Sequence, residues 1–403
     1  MPWDSVLGGE TPQKSVEFSF CLGRAKKKIV VVTSSRADYA HLRWLFDDLA
    51  RHRAVELHVI ALGPHFSPTF GNTAQAISSV HFTRVECLLD SDTDVGMAKT
   101  IGVATLGLAD ALDRLRPDIL LLIADRYEML APAATALALR IPVAHVEGGE
   151  ITRGAIDDAV RNALTKMSHL HFACTRKAAE RIASMGEEPG RITFSGSLSL
   201  DFLKREKLFS KAETEKKLSL ELTKDVLVCI YHPVTLFRDT LEEAEEFWAA
   251  LEGLEQTVHF IYPNADAGSR KLIRRSESFA ARHGSRVFTN LDHRTYLSFL
   301  KNVGALIGNS SSGIIESTSL ELPAVNVGIR QAGREHAANV IDVPAEGNAI
   351  RKAVRRALSP EFRRSIRSLR SLYGEGNAAS IITDVLVKAP PARELLFKHG
   401  ELL

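Results

Sequence analysis

The sequence predicts an α/β protein of two doubly wound parallel sheets separated by a cleft, on three observations. From Lys28 onward, short β-branched apolar runs alternate with helical patterns, and strands of that kind form a parallel sheet covered on both faces. The series stops near Leu203, crosses a charged stretch over 204–224 rich in Lys and Glu, and restarts at Val226. At 403 residues, 45% hydrophobic and 25% charged, the chain is long enough for two cores.

In the first half, strands are expected over 29–33, 55–62, 119–124, 143–146, 171–174 and 192–195. Helices are expected over 38–51, 96–116, 128–139, 157–168 and 177–185, where apolar residues such as Leu42, Leu45, Phe46 and Leu49 recur at helical spacing. The second half offers strands over 226–231, 258–262, 286–288, 305–308 and 324–327, then a helix over 348–372. A last helical pattern over 378–388 is expected to pack back on the first half. The chain then divides into an extension over 1–25 (with one extra strand over 16–22), domains over 26–203 and 204–375, and a returning segment over 376–403.

A net charge of +2 provides no field for nucleic acid or an anionic membrane. The basic runs at Lys26–Lys28, Arg270–Arg275 and Arg351–Arg370 lack the interleaved aromatics of base stacking and read as solvated faces. No stretch approaches the roughly 20 apolar residues that span a bilayer, and Asp4, Glu10 and Glu17 interrupt any secretion-signal layout. Cys21, Cys87, Cys174 and Cys229 have no CxxC spacing, which fits a reducing, cytoplasmic setting. Neither a metal-ligand cluster nor a GxSxG elbow is present, so no metal site and no serine hydrolase is expected.

The most unusual chemistry lies between His145 and Arg161, where Glu147, Glu150, Asp157 and Asp158 surround Gly148 and Gly149 just after an apolar strand. Ligands of open parallel sheets bind at that edge, and crowded carboxylates raise one another's pKa, so that one holds a proton while another accepts one. A salt-bridged, helix-capping loop is the plainer alternative. Three further loops follow strands. Ser34-Ser35-Arg36 could present N–H groups and a guanidinium to an anion. Asp125-Arg126-Tyr127-Glu128 places charge at the end of a buried strand. Asn309-Ser310-Ser311-Ser312-Gly313, with Glu316 one turn on, reads as a phosphate cradle beside a carboxylate for a ribose diol, against a plain serine cap. His232 ends a strand of the second half, and His65 is a weaker case of the same kind.

In order and spacing these motifs are familiar: Ser-Arg-Ala-Asp-Tyr at 35–39, Asp-Arg-Tyr-Glu at 125–128, His-Val-Glu-Gly-Gly-Glu at 145–150, His-Pro-Val-Thr at 232–235, Pro-Asn-Ala-Asp-Ala-Gly at 263–268, Gly-Asn-Ser-Ser-Ser-Gly at 308–313 and Gly-Ile-Arg-Gln-Ala-Gly-Arg-Glu at 328–335. Together they resemble the hydrolysing UDP-N-acetylglucosamine 2-epimerases of sialic-acid and legionaminic-acid synthesis, over nearly the whole chain. The resemblance implies a glycosyltransferase-B-like fold of two Rossmann-type domains. The implied reaction turns UDP-N-acetylglucosamine and water into N-acetylmannosamine and UDP, without metal or nicotinamide cofactor, in a homodimer or homotetramer. It makes Asp125, Glu147 and Asp157 the catalytic carboxylates. It makes Arg36, Arg126, His145, His232, Asn264, Ser310, Ser311, Gly313, Glu316 and Arg330 the nucleotide-sugar contacts. Asn162 departs from the histidine common in this group, which leaves the related 2,4-diacetamido-trideoxy sugar nucleotides as an alternative substrate. A non-hydrolysing epimerase, a glycosyltransferase of the same fold and a silent nucleotide-sugar sensor are the other readings.

Overall fold

The structure, a computed structural model, describes residues 26–67, 74, 77, 80–87, 93–239, 241–264 and 266–398, so the expected extension and its strand over 16–22 lie outside the described residues. Seven strands form the first sheet: β1 Lys27–Thr33, β2 Val55–Leu62, β3 Phe82–Val85, β4 Ile119–Ile123, β5 Val143–Val146, β6 Leu170–Ala173 and β7 Ile192–Phe194. All pair in parallel, in the order β3-β2-β1-β4-β5-β6-β7. The second sheet holds β8 Val226–Ile230, β9 Thr257–Ile261, β10 Val287–Phe288, β11 Ala305–Gly308, β12 Ala324–Val327 and β13 Val340–Val343, in the order β10-β9-β8-β11-β12-β13. Each sheet starts in its middle, winds one way and then the other. The crevice where the order reverses lies after β1 and β4 in one sheet, and after β8 and β11 in the other.

Helices on both faces explain the continuous apolar strands: all five side chains of β4 are buried, shared between one core with Leu42, Leu45 and Phe46 and another with Leu108 and Leu112. The edge strands β3 and β13 were not anticipated. Their sequences, Phe-Thr-Arg-Val and Val-Ile-Asp-Val, are short and only partly buried, so neither carries the apolar run that marks a central strand. The expected helix over 348–372 is two helices, Gly347–Leu358 and Pro360–Ser365. Ser359, held extended by the following proline (ψ 143°), ends the first helix and caps the second.

Helix Ala378–Lys388 packs Ile382 and Leu386 into the first-sheet core beside Leu42 and Leu49. Asp201 accepts from the N–H groups of Ala378 and Ala379 at 2.9 and 3.1 Å, and Lys27 donates to the carbonyls of Leu386 and Val387 at 3.0 and 3.1 Å. An anion at the amino end and a cation at the carboxyl end both favour the helix dipole. Helix Asp94–Leu115, 22 residues with a mean hydropathy of 1.3 over its most apolar window, is long and apolar enough by length and composition to cross a bilayer. In the structure Ala104, Leu108 and Leu112 pack on the first sheet, while Val95, Val103 and Leu106 are exposed.

Candidate active site

The ends of β4 and β5 turn sharply toward the cleft. Ala124 and Glu147 take left-handed backbone angles (φ 61° and 66°) that non-glycine residues rarely adopt. Their N–H groups still continue the ladder, to Val146 and Phe172 carbonyls at 2.9 and 2.8 Å. His145 supports this turn from beneath. It is fully buried, its Nε2 donates to the Ala124 carbonyl at 2.8 Å, and Nδ1 faces Thr165 Oγ1 at 3.3 Å. Burial pushes its pKa down to about 4. His145, expected to contact the nucleotide sugar, thus has both ring nitrogens engaged inside the protein and occupies a supporting position.

Three carboxylates meet at this edge with different proton affinities. Burial raises Asp125, but the charges of Arg161, Arg334 and Arg330 outweigh it, and Asp125 sits below the usual range. Arg161, itself buried, pairs with it directly. Asp157, first residue of helix Asp157–Met167, is pushed up to about 7 by burial and then by the charge of Asp125, and it has no side-chain hydrogen bond to the described residues. Burial also raises Glu147, only partly offset by His41, by the Ser197 hydroxyl donating at 2.9 Å and by Arg334. One carboxylate held ionised beside two that favour a proton is the arrangement acid/base chemistry needs at neutral pH.

A cavity of about 570 Å³, large enough for a nucleotide-sized ligand, opens in the cleft. The three acids are not in its lining, but Arg330 and His41 are, and their charges act on Asp125 and Asp157 and on Glu147 respectively. The cavity brings together His232, Asn264, Ser310, Ser311, Glu316 and Arg330 from the second domain with Tyr39, His41 and Arg43 from the first. Asn309 staples the reversal point of the second sheet, accepting from the His232 N–H at 2.7 Å and donating to its carbonyl at 2.9 Å. The backbone N–H of Asn264 donates to His232 Nδ1 at 3.1 Å, so the ring proton is on Nε2, while burial, Arg330 and Arg126 keep the ring neutral. Glu316 is buried, with Oε1 at 3.7 Å from His41 Nε2 and Oε2 without a partner.

Two expectations about anion cradles change. The N–H groups of Ser34 and Ser35, and the Ser34 hydroxyl, all bond to Asp38 Oδ2 within 3.1 Å. The anion they face is the chain's own carboxylate, in a capping box. The side chain of Arg36 lies outside the described residues. After β11, Ser310 caps a 3-10 turn, Ser311–Gly313, and the helix carrying Glu316 is only Glu316–Ser319. Hydroxyl and N–H donors, more than a long dipole, equip this turn for an anion. Gly313, the last residue of this turn, is buried.

Arg126 crosses the cleft. Nη1 donates to Asp266 of the second domain at 3.0 Å, and Nη2 to the buried Glu128 at 3.1 Å. Two of the four carboxylates of the acidic stretch are tied up in structure: Asp158 Oδ1 accepts from the Thr152 N–H at 2.7 Å and from Arg161 at 3.4 Å, and Glu150 faces the second domain. Arg334 Nε donates to its Oε2 at 3.0 Å, and the single Tyr373 hydroxyl proton is shared between that oxygen at 3.0 Å and the Glu335 carbonyl at 2.7 Å. His65 is buried, pushed down to about 4 by burial, with Nε2 at 2.9 Å from Thr33 Oγ1. Asn162 is partly buried on helix Asp157–Met167. Sequence reasoning overlooked His41, Asp266, Arg334 and Tyr373, because each acts on residues far away in the chain. Only Arg334 and Asp266 stood in quoted motifs.

The family model described as UDP-N-acetylglucosamine 2-epimerase matches residues 47–387. The chain is 35% identical, over 85% of its length and 90% of the relative's, to the GDP/UDP-N,N'-diacetylbacillosamine 2-epimerase (hydrolyzing) of Campylobacter jejuni. To the UDP-N,N'-diacetylbacillosamine 2-epimerase (hydrolyzing) of Legionella pneumophila it is 32% identical, over 92% and 98%. The UDP-GlcNAc 2-epimerase of Neisseria meningitidis, solved bound to UDP-GlcNAc, shares the fold with a TM-score of 0.76 at 18% identity, over 90% of this chain and 100% of that one.

Proposed function

The chain belongs to the UDP-N-acetylglucosamine 2-epimerase family, and we propose that it hydrolyses a UDP-linked 2-acetamido sugar with inversion at C2. The observation that carries this reading is the split proton affinity of Asp125 and Asp157, the one held below the usual carboxylate range and the other raised to about 7, in a cleft that holds a nucleotide-sized cavity.

The C2 proton of such a sugar is weakly acidic, so a base must take it as the C1–O bond to UDP breaks. The product is an unsaturated glycal, which then takes water at C1 and a proton at C2 from the opposite face. Two faces need two acid/base groups. In our reading, Asp157, at about 7, and Glu147, raised by burial, are suited to exchange protons at C2, and the ionised Asp125 beside them sets that affinity through its charge. His232 offers a neutral Nε2–H to the departing diphosphate, with Ser310, Ser311, Arg330 and Arg126 as further donors. The partnerless Oε2 of Glu316 is suited to a ribose hydroxyl.

For the sugar, UDP-N,N'-diacetylbacillosamine is favoured by the names of the two relatives, and UDP-N-acetylglucosamine by the family description. Turnover of both in deuterium oxide tests the proposal. The expected result is free UDP and a 2-epimerised sugar carrying deuterium at C2, with the faster donor naming the substrate. Epimerised sugar still joined to UDP would point to the non-hydrolysing course, and a retained C2 hydrogen would overturn the scheme.

A further inference from the structure

The acidic loop is held in place by the opposite domain. Between Glu147 and Asp157 the chain makes backbone hydrogen bonds across the cleft. The Arg153 N–H donates to the Ala332 carbonyl at 3.2 Å, and the Leu236 N–H to the Gly154 carbonyl at 3.3 Å. The Ile156 N–H donates to Thr235 Oγ1 at 3.2 Å. Gly154 sits so close to the second domain that an added Cβ would lie 2.6 Å from the Arg330 Cα. Behind this seam is a buried ionic cluster. Glu150 receives Arg334 Nε and Tyr373 Oη, the same hydroxyl lies 2.7 Å from the Glu335 carbonyl, and Arg334 Nη1 donates to Gln331 Oε1 at 3.2 Å. Glu150, Arg334 and Tyr373 are 3%, 9% and 2% exposed.

We propose that Arg334, Glu150 and Tyr373 form a clasp through which the nucleotide-binding domain sets the acidic loop, making Arg334 a positioning residue for Asp125 and Glu147. The inference rests on the acid/base reading above and deepens it. Three features distinguish the clasp from ordinary domain glue. It is buried, so its ionic bonds are screened far less than surface pairs, and removing one partner leaves the other uncompensated. It connects to the acids through one guanidinium: Arg161 donates to the Glu150 carbonyl at 2.9 Å, to Thr152 Oγ1 at 3.1 Å and to Asp125. The Arg334 charge also falls on both Asp125 and Glu147, holding each lower than burial alone would leave it. With the domains parted, the loop loses its partners and Asp125 loses one of its cations. The acids are therefore aligned only while the second domain is docked, which confines C2 proton removal to a cleft that can retain the glycal until water has added.

The test uses the full-length enzyme and Tyr373→Phe, which removes one hydroxyl and keeps the ring, with Glu150→Gln as a second variant. Lys177→Ala is the control, because its exposed pair with Glu335 (3.2 Å) also joins the domains and surface pairs contribute little. Amide hydrogen exchange over 151–156 with UDP present reads the clasp without any turnover. Tyr373→Phe should speed it by roughly tenfold, and unchanged exchange would overturn the clasp whatever reaction the enzyme catalyses. Steady-state kinetics then read positioning. In Tyr373→Phe, kcat should fall by about tenfold or more with KM within roughly threefold, and the share of product released as free glycal should rise. Faster exchange with kcat and glycal release at wild-type values would overturn the positioning role. The same holds if Lys177→Ala matches the Tyr373 variant. A wild-type enzyme inactive on every UDP-sugar would refute the proposed function, and the exchange measurement would still decide the clasp.

Discussion

Asp157→Asn should remove most of the activity and at the same time stabilise the protein, in a pH-dependent way. In the folded protein, burial and the Asp125 charge raise the Asp157 pKa from an ordinary 3.8 to about 7. Folding therefore favours the protonated form. The stability linked to this group is fully present below about pH 3.8, and is lost progressively as pH rises through about 7, because the unfolded chain releases the proton first. At ~1.4 kcal/mol per pH unit, that gap caps the loss at roughly 4 kcal/mol. The carboxyl is partly open to the cleft, which reduces the expected value to about 1–2 kcal/mol. Asparagine has the shape of the protonated acid and never ionises. The variant should match the wild type only near pH 3, and melt roughly 2–6 °C higher near pH 8. Its kcat should fall by about 10²–10⁴-fold with KM little changed, the range expected for an acid/base group. Thermal melts followed by circular dichroism at the two pH values, and UDP release at pH 7.5, supply both readings. Equal melting of the two proteins at pH 8, or a gain of the same size at both pH values, would show that Asp157 is not a strained, proton-holding acid. Retained kcat would remove it from the chemistry.

Three further outcomes follow from the same geometry. Glu316→Ala should raise KM and weaken UDP inhibition by roughly 10- to 100-fold, the value of a charge-assisted hydrogen bond of about 1.5–3 kcal/mol; unchanged inhibition by UDP would refute the ribose assignment. Gly154→Ala cannot place its Cβ without parting the seam against Ile329 and Arg330, so it should cost about 1–3 kcal/mol in a denaturant titration and lower kcat, and a wild-type unfolding curve would refute the tight seam. Among the described residues no group of three or more His, Cys, Asp or Glu side chains could hold a metal ion, so turnover should survive exhaustive EDTA treatment; complete loss restored by a divalent cation would refute this.

The parallel sheets were legible in the sequence because a strand buried on both faces must be apolar along its whole length, as Ile119–Ile123 is. The strand ends were legible for the same reason, since polar residues return where the chain leaves the core. Sequence pattern by itself therefore places Asp125, Glu147, His232 and Ser310 at sheet edges. Edge strands β3 and β13 were not legible, because each is four residues long and its short apolar run is interrupted by a charged residue, Arg84 or Asp342. Nor could local pattern say which acid does what. Glu147, Glu150 and Asp157 are alike as sequence. Glu150 is taken out of the acid group by Arg334, 184 residues away, while Asp125 is held ionised by Arg161, 36 residues away. Proton affinity depends on burial and on the charges within a few ångströms. Residue order alone determined where the carboxylates stand along the chain. The tertiary structure decided which of them is paired and which is free to move a proton: packing within the first domain pairs Asp125 with Arg161 and buries Asp157, and docking of the second domain pairs Glu150 with Arg334.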